Sequence, residues 1–218
     1  MLVTKAGVIG DIHGEAALLQ ALLDFLQPQK LDVLLCTGDI VTGEGDVNRS
    51  CALLKSAGVL CVRGNHDRWF LQRTTPAHEY DVPEEDVSSE AKEFIASLPV
   101  TREFETPAGQ VLLCHGLGDD DLACVRPGDE GIALESNHRL HALVMQADYK
   151  IIINGHTHQP MARIIEGLTI LNAGTLRQSD GSDFFIVDFA AGEVQFYKIS
   201  PEGQITAGAS SSIPTEET

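Results

Sequence analysis

Two histidines separated by one residue, His156 and His158, close an unbroken apolar run in the segment IIINGHTHQP, residues 151–160. A single histidine at such a place is commonly a packed or surface residue. Two at i and i+2 in an extended segment face the same side, so they offer two imidazole nitrogens at one spot. The arrangement recurs along the chain. AGVIG runs into Asp11 and His13, VLLCTG into Asp39, VLCVRG into Asn65, His66 and Asp67, and VLLC into His115. Each apolar run is thus closed by an Asp, Asn or His, usually directly after a glycine. Five of the eight histidines stand at these tips, a concentration that surface usage does not readily produce. His78, His138 and His141 lie in a loop or on helices and receive no role.

The donor types define the chemistry. Imidazole nitrogen, carboxylate and amide oxygen, without thiolate, suit a hard or borderline divalent ion such as Mn²⁺, Fe, Zn²⁺ or Ni²⁺. Seven candidate ligands exceed what one ion takes in a catalytic site that keeps a position open. Two ions sharing a carboxylate would use all seven. Such pairs, roughly 3.5–4 Å apart, generate a hydroxide nucleophile and clamp a phosphoryl oxygen.

The elements that must position these groups alternate. AGVIG, LDVLLCTG and VLCVRG read as short strands apolar on both faces. EAALLQALLDFLQ and DVNRSCALLKSAG between them have helical apolar spacing, the second closed by Gly58. This is the βαβ pattern of a parallel sheet, whose ligand site lies beyond the carboxyl ends of its strands. Residues 71–106 interrupt the rhythm with an acidic insertion in which Pro83 opens a predicted helix and Pro99 follows its end. REFETPAGQVLLCHG reads as two strands around a turn at Pro107-Ala108-Gly109, and HRLHALVMQA as a helix. The last third, MARIIEGLTILNAG and SDFFIVDFAAGEVQFYKI, predicts hairpins in a largely antiparallel second sheet or mixed edge. Without an internal repeat or a sharp composition break, residues 1–200 are expected to form one domain. The small, polar tail 201–218 is expected to fray.

The 218-residue chain is 43% apolar, enough for a core of ordinary size. No apolar run approaches the roughly 20 residues that span a bilayer. MLVTKAGVIGDIHG passes directly into a strand and turn without the features of a secretory signal, so a cytoplasmic protein is expected. A net charge of −17 repels phosphate polymers and anionic membranes, which argues against long nucleic acid or a membrane as partner. It leaves room for a small phosphorylated substrate where bound cations supply a local positive field. Five cysteines without a CxxC pair argue against a disulfide framework or thiolate zinc site. Cys36, Cys61 and Cys114 sit inside apolar runs and read as small buried hydrophobes.

Taken together, GDIHG (10–14), GDI (38–40), GNHD (64–67), CHG (114–116) and GHTH (155–158) resemble the calcineurin-like metallophosphoesterases. The short layout and LNAGTL (171–176) resemble the small bacterial and archaeal phosphodiesterase branch. The resemblance implies an α/β fold, a four-layer αββα sandwich of two facing mixed β-sheets flanked by helices. It implies two divalent ions, with Mn²⁺ the first choice. Asp11, His13 and His158 would hold the first, Asn65, His115 and His156 the second, and Asp39 would bridge them. His66 would protonate the departing alkoxide, with Asp67 orienting or charge-stabilising it. The chain departs from the protein serine/threonine phosphatases, since Thr42 and Gly43 stand where an Asp and an Arg would follow the second motif.

The expected activity is hydrolysis of a small phosphate ester by in-line attack of a metal-bridging hydroxide. Phosphodiesters are favoured, because the second motif supplies no arginine to match the oxygens of a monoester dianion. Arg63, Arg126 and Arg177 are the remaining candidates for such a clamp. Phosphomonoester or dinucleoside polyphosphate hydrolysis at the same site is the alternative. A non-catalytic protein-binding scaffold, as in a retromer subunit, is the rival from another class. It should show as missing ligands, yet all seven positions and His66 are filled.

Overall fold

The computed structural model describes residues 2–74 and 82–213. Part of the acidic insertion (75–81, including His78) and the end of the tail (214–218) lie outside the described residues. Strands β1 (Lys5–Ile9), β2 (Val33–Cys36) and β3 (Leu60–Cys61) run parallel, connected by helices α1 (Ala16–Leu26) and α2 (Val47–Ser56). After α3 (Asn65–Gln72) and α4 (Ser89–Ala96) come β4 (Arg102–Thr106) and β5 (Gly109–Leu113). Helices α5 (Ile132–Glu135) and α6 (His138–Gln146) precede β6 (Ile151–Asn154), β7 (Met161–Ile165) and β8 (Leu168–Asn172). Strands β9 (Asp183–Asp188), β10 (Glu193–Ile199) and β11 (Ile205–Ser212) complete the chain.

Two sheets result, in the orders β11-β10-β9-β1-β2-β3 and β4-β5-β6-β8-β7. Both are mixed. In the second sheet β5, β6 and β8 are parallel while β4 and β7 run antiparallel at its edges. Of the two alternatives for the last third, the mixed edge is the one found: β9, β10 and β11 form an antiparallel edge on the first sheet, and β7 one on the second.

Side-chain alternation along the strands produces the layers. Ala6, Val8, Leu35, Phe185 and Val187 point from the first sheet toward Val111, Leu113, Ile151, Ile153 and Leu171 of the second. Their neighbours Ile9, Cys36, Phe184 and Ile186 face the other way, into a core with α1, α2 and α4. Leu112, Cys114, Ile152 and Ile170 pack on the far side of the second sheet against Leu140 and Leu143 of α6. The order helix, sheet, sheet, helix is the expected four-layer sandwich. Cys36, Cys51, Cys61 and Cys114 are free and buried, as apolar packing requires.

Four local expectations need correction. Asn65-His66-Asp67 does not end a strand: β3 stops at Cys61 and α3 begins at Asn65, with Gly64 as its N-cap. Pro83 precedes a 3₁₀ turn (Glu84–Asp86), not the helix itself; α4 starts at Ser89, where the Ser88 hydroxyl accepts a hydrogen bond from the Ala91 amide. Part of the polar tail forms β11, which pairs with β10 through a register shift between Gln195 and Tyr197. Finally, His156 and His158 do not lie in an extended segment, since both have left-handed backbone angles (φ 67° and 58°).

The strand β11 makes a direct prediction. Amide hydrogen exchange over 205–212 is expected to be slowed relative to an unstructured peptide. Coil-like exchange across all eight positions would contradict the pairing.

Candidate metal centre

Asp11 and Asp39 follow the parallel strands β1 and β2 of one sheet, while His115 and His156 follow β5 and β6 of the other. The strand ends meet. His156 donates its amide hydrogen to Asp11 Oδ2 at 2.8 Å, and His115 Nδ1 donates to the Thr37 carbonyl at 2.8 Å. Thr37 also donates its hydroxyl hydrogen to Asp11 Oδ1 at 3.2 Å. Asn65, at the start of α3, enters through a tight approach of two loops. A Cβ at Gly64 would fall on the Asp39 carboxylate, and one at Gly155 would fall on that of Asp11. These two glycines are therefore required by their neighbours across the site.

All seven sequence-predicted ligands converge. Asp11, His13 and His158 form one cluster, Asp39, His115 and His156 another, each with donor atoms within 4.8 Å of one another. Asn65 Oδ1 joins the second, 2.9 Å from both His115 Nε2 and His156 Nδ1. The two residues of the HTH segment thus serve separate clusters.

The protonation geometry tests whether cations fit. His13 Nδ1 lies 2.7 Å from the Thr42 carbonyl, which can only accept, so this nitrogen carries the hydrogen and Nε2 of the neutral ring is a lone pair. The same holds for His115, whose Nδ1 faces the Thr37 carbonyl. His158 Nδ1 lies 2.6 Å from Asp180 Oδ2, which fixes its Nε2 in the same way. The lone pairs then point at one another: His13 Nε2 is 3.0 Å from His158 Nε2, and the latter 3.2 Å from Asp11 Oδ2. His115 Nε2 is 3.2 Å from Asp39 Oδ2. Converging electron pairs in a buried place demand a positive charge between them, and two divalent ions fit this donor set.

Without metal, protons meet that demand. Burial would depress the His115 imidazole, but the Asp39 and Asp11 carboxylates overcome it and push it up to about 10. Burial likewise opposes charge on His158, which Asp11 and then Asp180 push up to about 9. Burial would raise the Asp39 carboxyl; the adjacent His115 ring holds it well below the usual carboxylate range. Burial lowers both His66 and His156.

The two predicted catalytic residues separate. His66 lies against the cluster, edge-on to His13 and Trp69 at centroid distances of 5.2 and 5.0 Å, and its amide donates to Asp39 Oδ1 at 2.8 Å. Its ring Nδ1 is buried without a hydrogen-bond partner among the described residues. Asp67 does not orient it. Asp67 Oδ1 accepts from the amides of Ile40 and Val41 at 2.9 and 3.2 Å, and Oδ2 from that of Gly64 at 2.9 Å. The side chain ties the loop after Asp39 to the turn before Asn65. Burial and the nearby Asp39 carboxylate push its carboxyl up to about 6.

Sequence reasoning gave no role to several residues that hold the ligands in place. Asn172, fully buried, donates to the Gly155 carbonyl at 2.6 Å and to Asn154 Oδ1 at 3.0 Å, fixing the turn that carries His156. Thr175 donates its hydroxyl hydrogen to the Asp11 carbonyl at 2.8 Å. The signal available was a polar asparagine ending an apolar strand in LNAGTL. Asp180 had no signal, since nothing in the sequence places it beside His158.

These protonation states predict pH-dependent ion binding. His115 and His158, raised to about 10 and about 9, are protonated at pH 7 in the metal-free protein and must lose their protons to become ligands. Apparent Mn²⁺ affinity should therefore rise from pH 7 to 9. Titration calorimetry in buffers of different ionisation heat should detect proton release at pH 7. Uptake that releases no protons and is flat over this range would contradict the assignment.

The chain matches the calcineurin-like phosphoesterase superfamily domain over residues 4–192. It is 22% identical over 208 residues to the uncharacterised protein MJ0912 of Methanocaldococcus jannaschii, covering 88% of this chain and 78% of the relative. Among solved structures it resembles a metallophosphoesterase from Sphaerobacter thermophilus, with a TM-score of 0.68, 21% identity, and 91% and 89% of the two chains covered. It also resembles Vps29 of Entamoeba histolytica, crystallised with Zn²⁺, with a TM-score of 0.56, 20% identity, and 96% and 99% covered. With the domain match spanning most of its length and two candidate metal-binding clusters where the strand ends of its sheets meet, the chain belongs to the calcineurin-like phosphoesterase superfamily.

Proposed function

We propose that the protein is a dinuclear metal-dependent phosphoesterase that hydrolyses small phosphate esters and favours phosphodiesters. The observation that carries this reading is the pair of facing clusters, Asp11–His13–His158 and Asp39–His115–His156, completed by Asn65. Asp11, His13 and His158 would hold one ion and Asn65, His115 and His156 the other, with Asp39 shared; Mn²⁺ is the first ion to supply. Two bound divalent ions provide a water-derived nucleophile and neutralise charge developing on a phosphoryl oxygen.

The chain's own residues supply the rest. His66 would donate a proton to the departing alkoxide. Burial lowers its pKa in the free protein, and an anionic phosphate beside it works in the opposite direction. A cleft of about 360 Å³ opens beside His13, lined by Glu15, Glu44, Arg177, Gln178 and Ser179 with Gly43 and Gly45. Among the described residues no apolar side chain lines it, so it suits a hydroxylated or otherwise polar ester substituent. Of the three arginines considered for a monoester clamp, Arg177 lines this cleft, 3.9 Å from Asp180. Arg126 instead lies with its guanidinium 3.3 Å from Cys124 Sγ. Glu15 and Glu44 in the same cleft weigh against a dianion, which supports the diester preference.

The scaffold reading shares the fold and would be compatible with the same donor set, so metal retention alone does not separate the two. Turnover separates them. With Mn²⁺ restored after chelation, kcat/KM for bis-p-nitrophenyl phosphate at pH 8 is expected to be at least comparable with that for p-nitrophenyl phosphate. A monoester preference above ~100-fold, about 2.7 kcal/mol of discrimination, would turn the assignment to a phosphatase with Arg177 as the clamp. No turnover of any ester by metal-loaded protein would favour the scaffold.

The role of His66 has its own signature. General acid catalysis is typically worth ~10²–10⁴-fold and matters most for poor leaving groups. His66→Asn should lose far more rate on an alkyl ester than on a p-nitrophenyl ester, with metal content unchanged. Equal losses on both esters would indicate a positioning role instead.

A further inference from the structure

Four imidazoles build the centre, and three have a second nitrogen with a visible anchor. For His13 and His115 the anchor is a backbone carbonyl, of Thr42 and Thr37 respectively. His158 differs. Its Nδ1 hydrogen goes to the Asp180 carboxylate at 2.6 Å, from a separate segment of chain on the outer side of the site. The His158 side chain is 20% exposed, against 1% for His115, and its ring is held at Nε2 by His13 and Asp11 and at Nδ1 by Asp180.

We infer that Asp180 is the positioning residue for His158, and through it sets the cation affinity of the cluster formed with Asp11 and His13. The inference rests on the dinuclear reading above. A carboxylate behind a ligating imidazole fixes the tautomer, orients the ring and makes its free nitrogen a better donor. A carbonyl does the first two with less charge.

The segment that carries Asp180 is itself held. Gln178 donates to Glu15 through its amide at 3.4 Å and through Nε2 at 3.1 Å, and the Ser182 hydroxyl donates to the Leu176 carbonyl at 2.9 Å. Ser179 donates its hydroxyl hydrogen to Asp180 Oδ1 at 3.0 Å, which leaves Oδ2 for His158. Arg177, which lines the proposed substrate cleft, lies 3.9 Å from that same oxygen.

The test is Mn²⁺ binding to the chelator-stripped full-length protein, independent of turnover. Wild-type protein is expected to bind two ions. Asp180→Ala should weaken one of the two sites by about 10–100-fold and leave the other unchanged. Asp180→Asn keeps an oxygen to accept from Nδ1 but removes the charge, and should fall between the two. The unfolding midpoint of the stripped protein should fall only slightly at pH 7 in either variant, through loss of the partly exposed Asp180–His158 ion pair, so the change in ion affinity is not a consequence of unfolding. If wild-type binds two ions and Asp180→Ala binds both with unchanged affinity, this inference fails while the dinuclear reading stands. If wild-type binds no second ion, the dinuclear reading fails and takes this inference with it. Equal weakening of both sites would indicate general loosening of the site and would also overturn it.

Discussion

The hydrogen bond from the His156 amide to the Asp11 carboxylate, 2.8 Å long, joins the ends of two different sheets inside the site. Much else follows from this juncture. A buried carboxylate needs several donors, and here they come from the opposite sheet through His156 and from the neighbouring strand through Thr37. Gly155 must lack a side chain because the carboxylate occupies that space. Asn172 in turn holds the Gly155 carbonyl. The apolar layer between the sheets brings the strand ends close, and these polar contacts set their final register. Packing alone would leave the ligands near one another without aiming them.

Asp67 illustrates the same division of labour. It stands in a motif next to a catalytic candidate, and its carboxylate was expected to serve that neighbour. It serves the backbone instead, accepting three amides from two loops. Those loops carry Asp39 and Asn65, so the side chain acts on ligand geometry from behind. His66 is left with a buried Nδ1 that has no hydrogen-bond partner among the described residues.

The convergence of the candidate ligands was legible because the chemistry of each residue is written in its type, and because apolar strands announce where their polar ends must gather. The layering was legible for the same reason: IIIN and VLLC are apolar on both faces and can only be interior strands. What was not legible depended on partners distant in sequence. NHDRWFLQ begins with turn-forming residues and was not read as a helix. ITAGASSS offers only Ile205 as a sizeable apolar residue, and becomes a strand by pairing with the edge that β10 presents. Asp180 is one acidic residue among thirty-two acidic positions until the fold sets it beside His158. The extended reading of HTH failed for a related reason, since the turn is imposed by the neighbours that hold Gly155.

Among the candidate ligands, His13, Asp39, His156 and His158 all have left-handed backbone angles, with φ of 47°, 48°, 67° and 58°. Histidine and aspartate tolerate this region better than most residues, yet each such position still costs on the order of 1–3 kcal/mol. A glycine at any of them would relax the chain and delete a ligand. The centre is therefore opposed to conformational stability at four points along its own backbone. Selection for heat resistance in the absence of metal would favour substitutions at these candidate ligands, at the expense of the cation site.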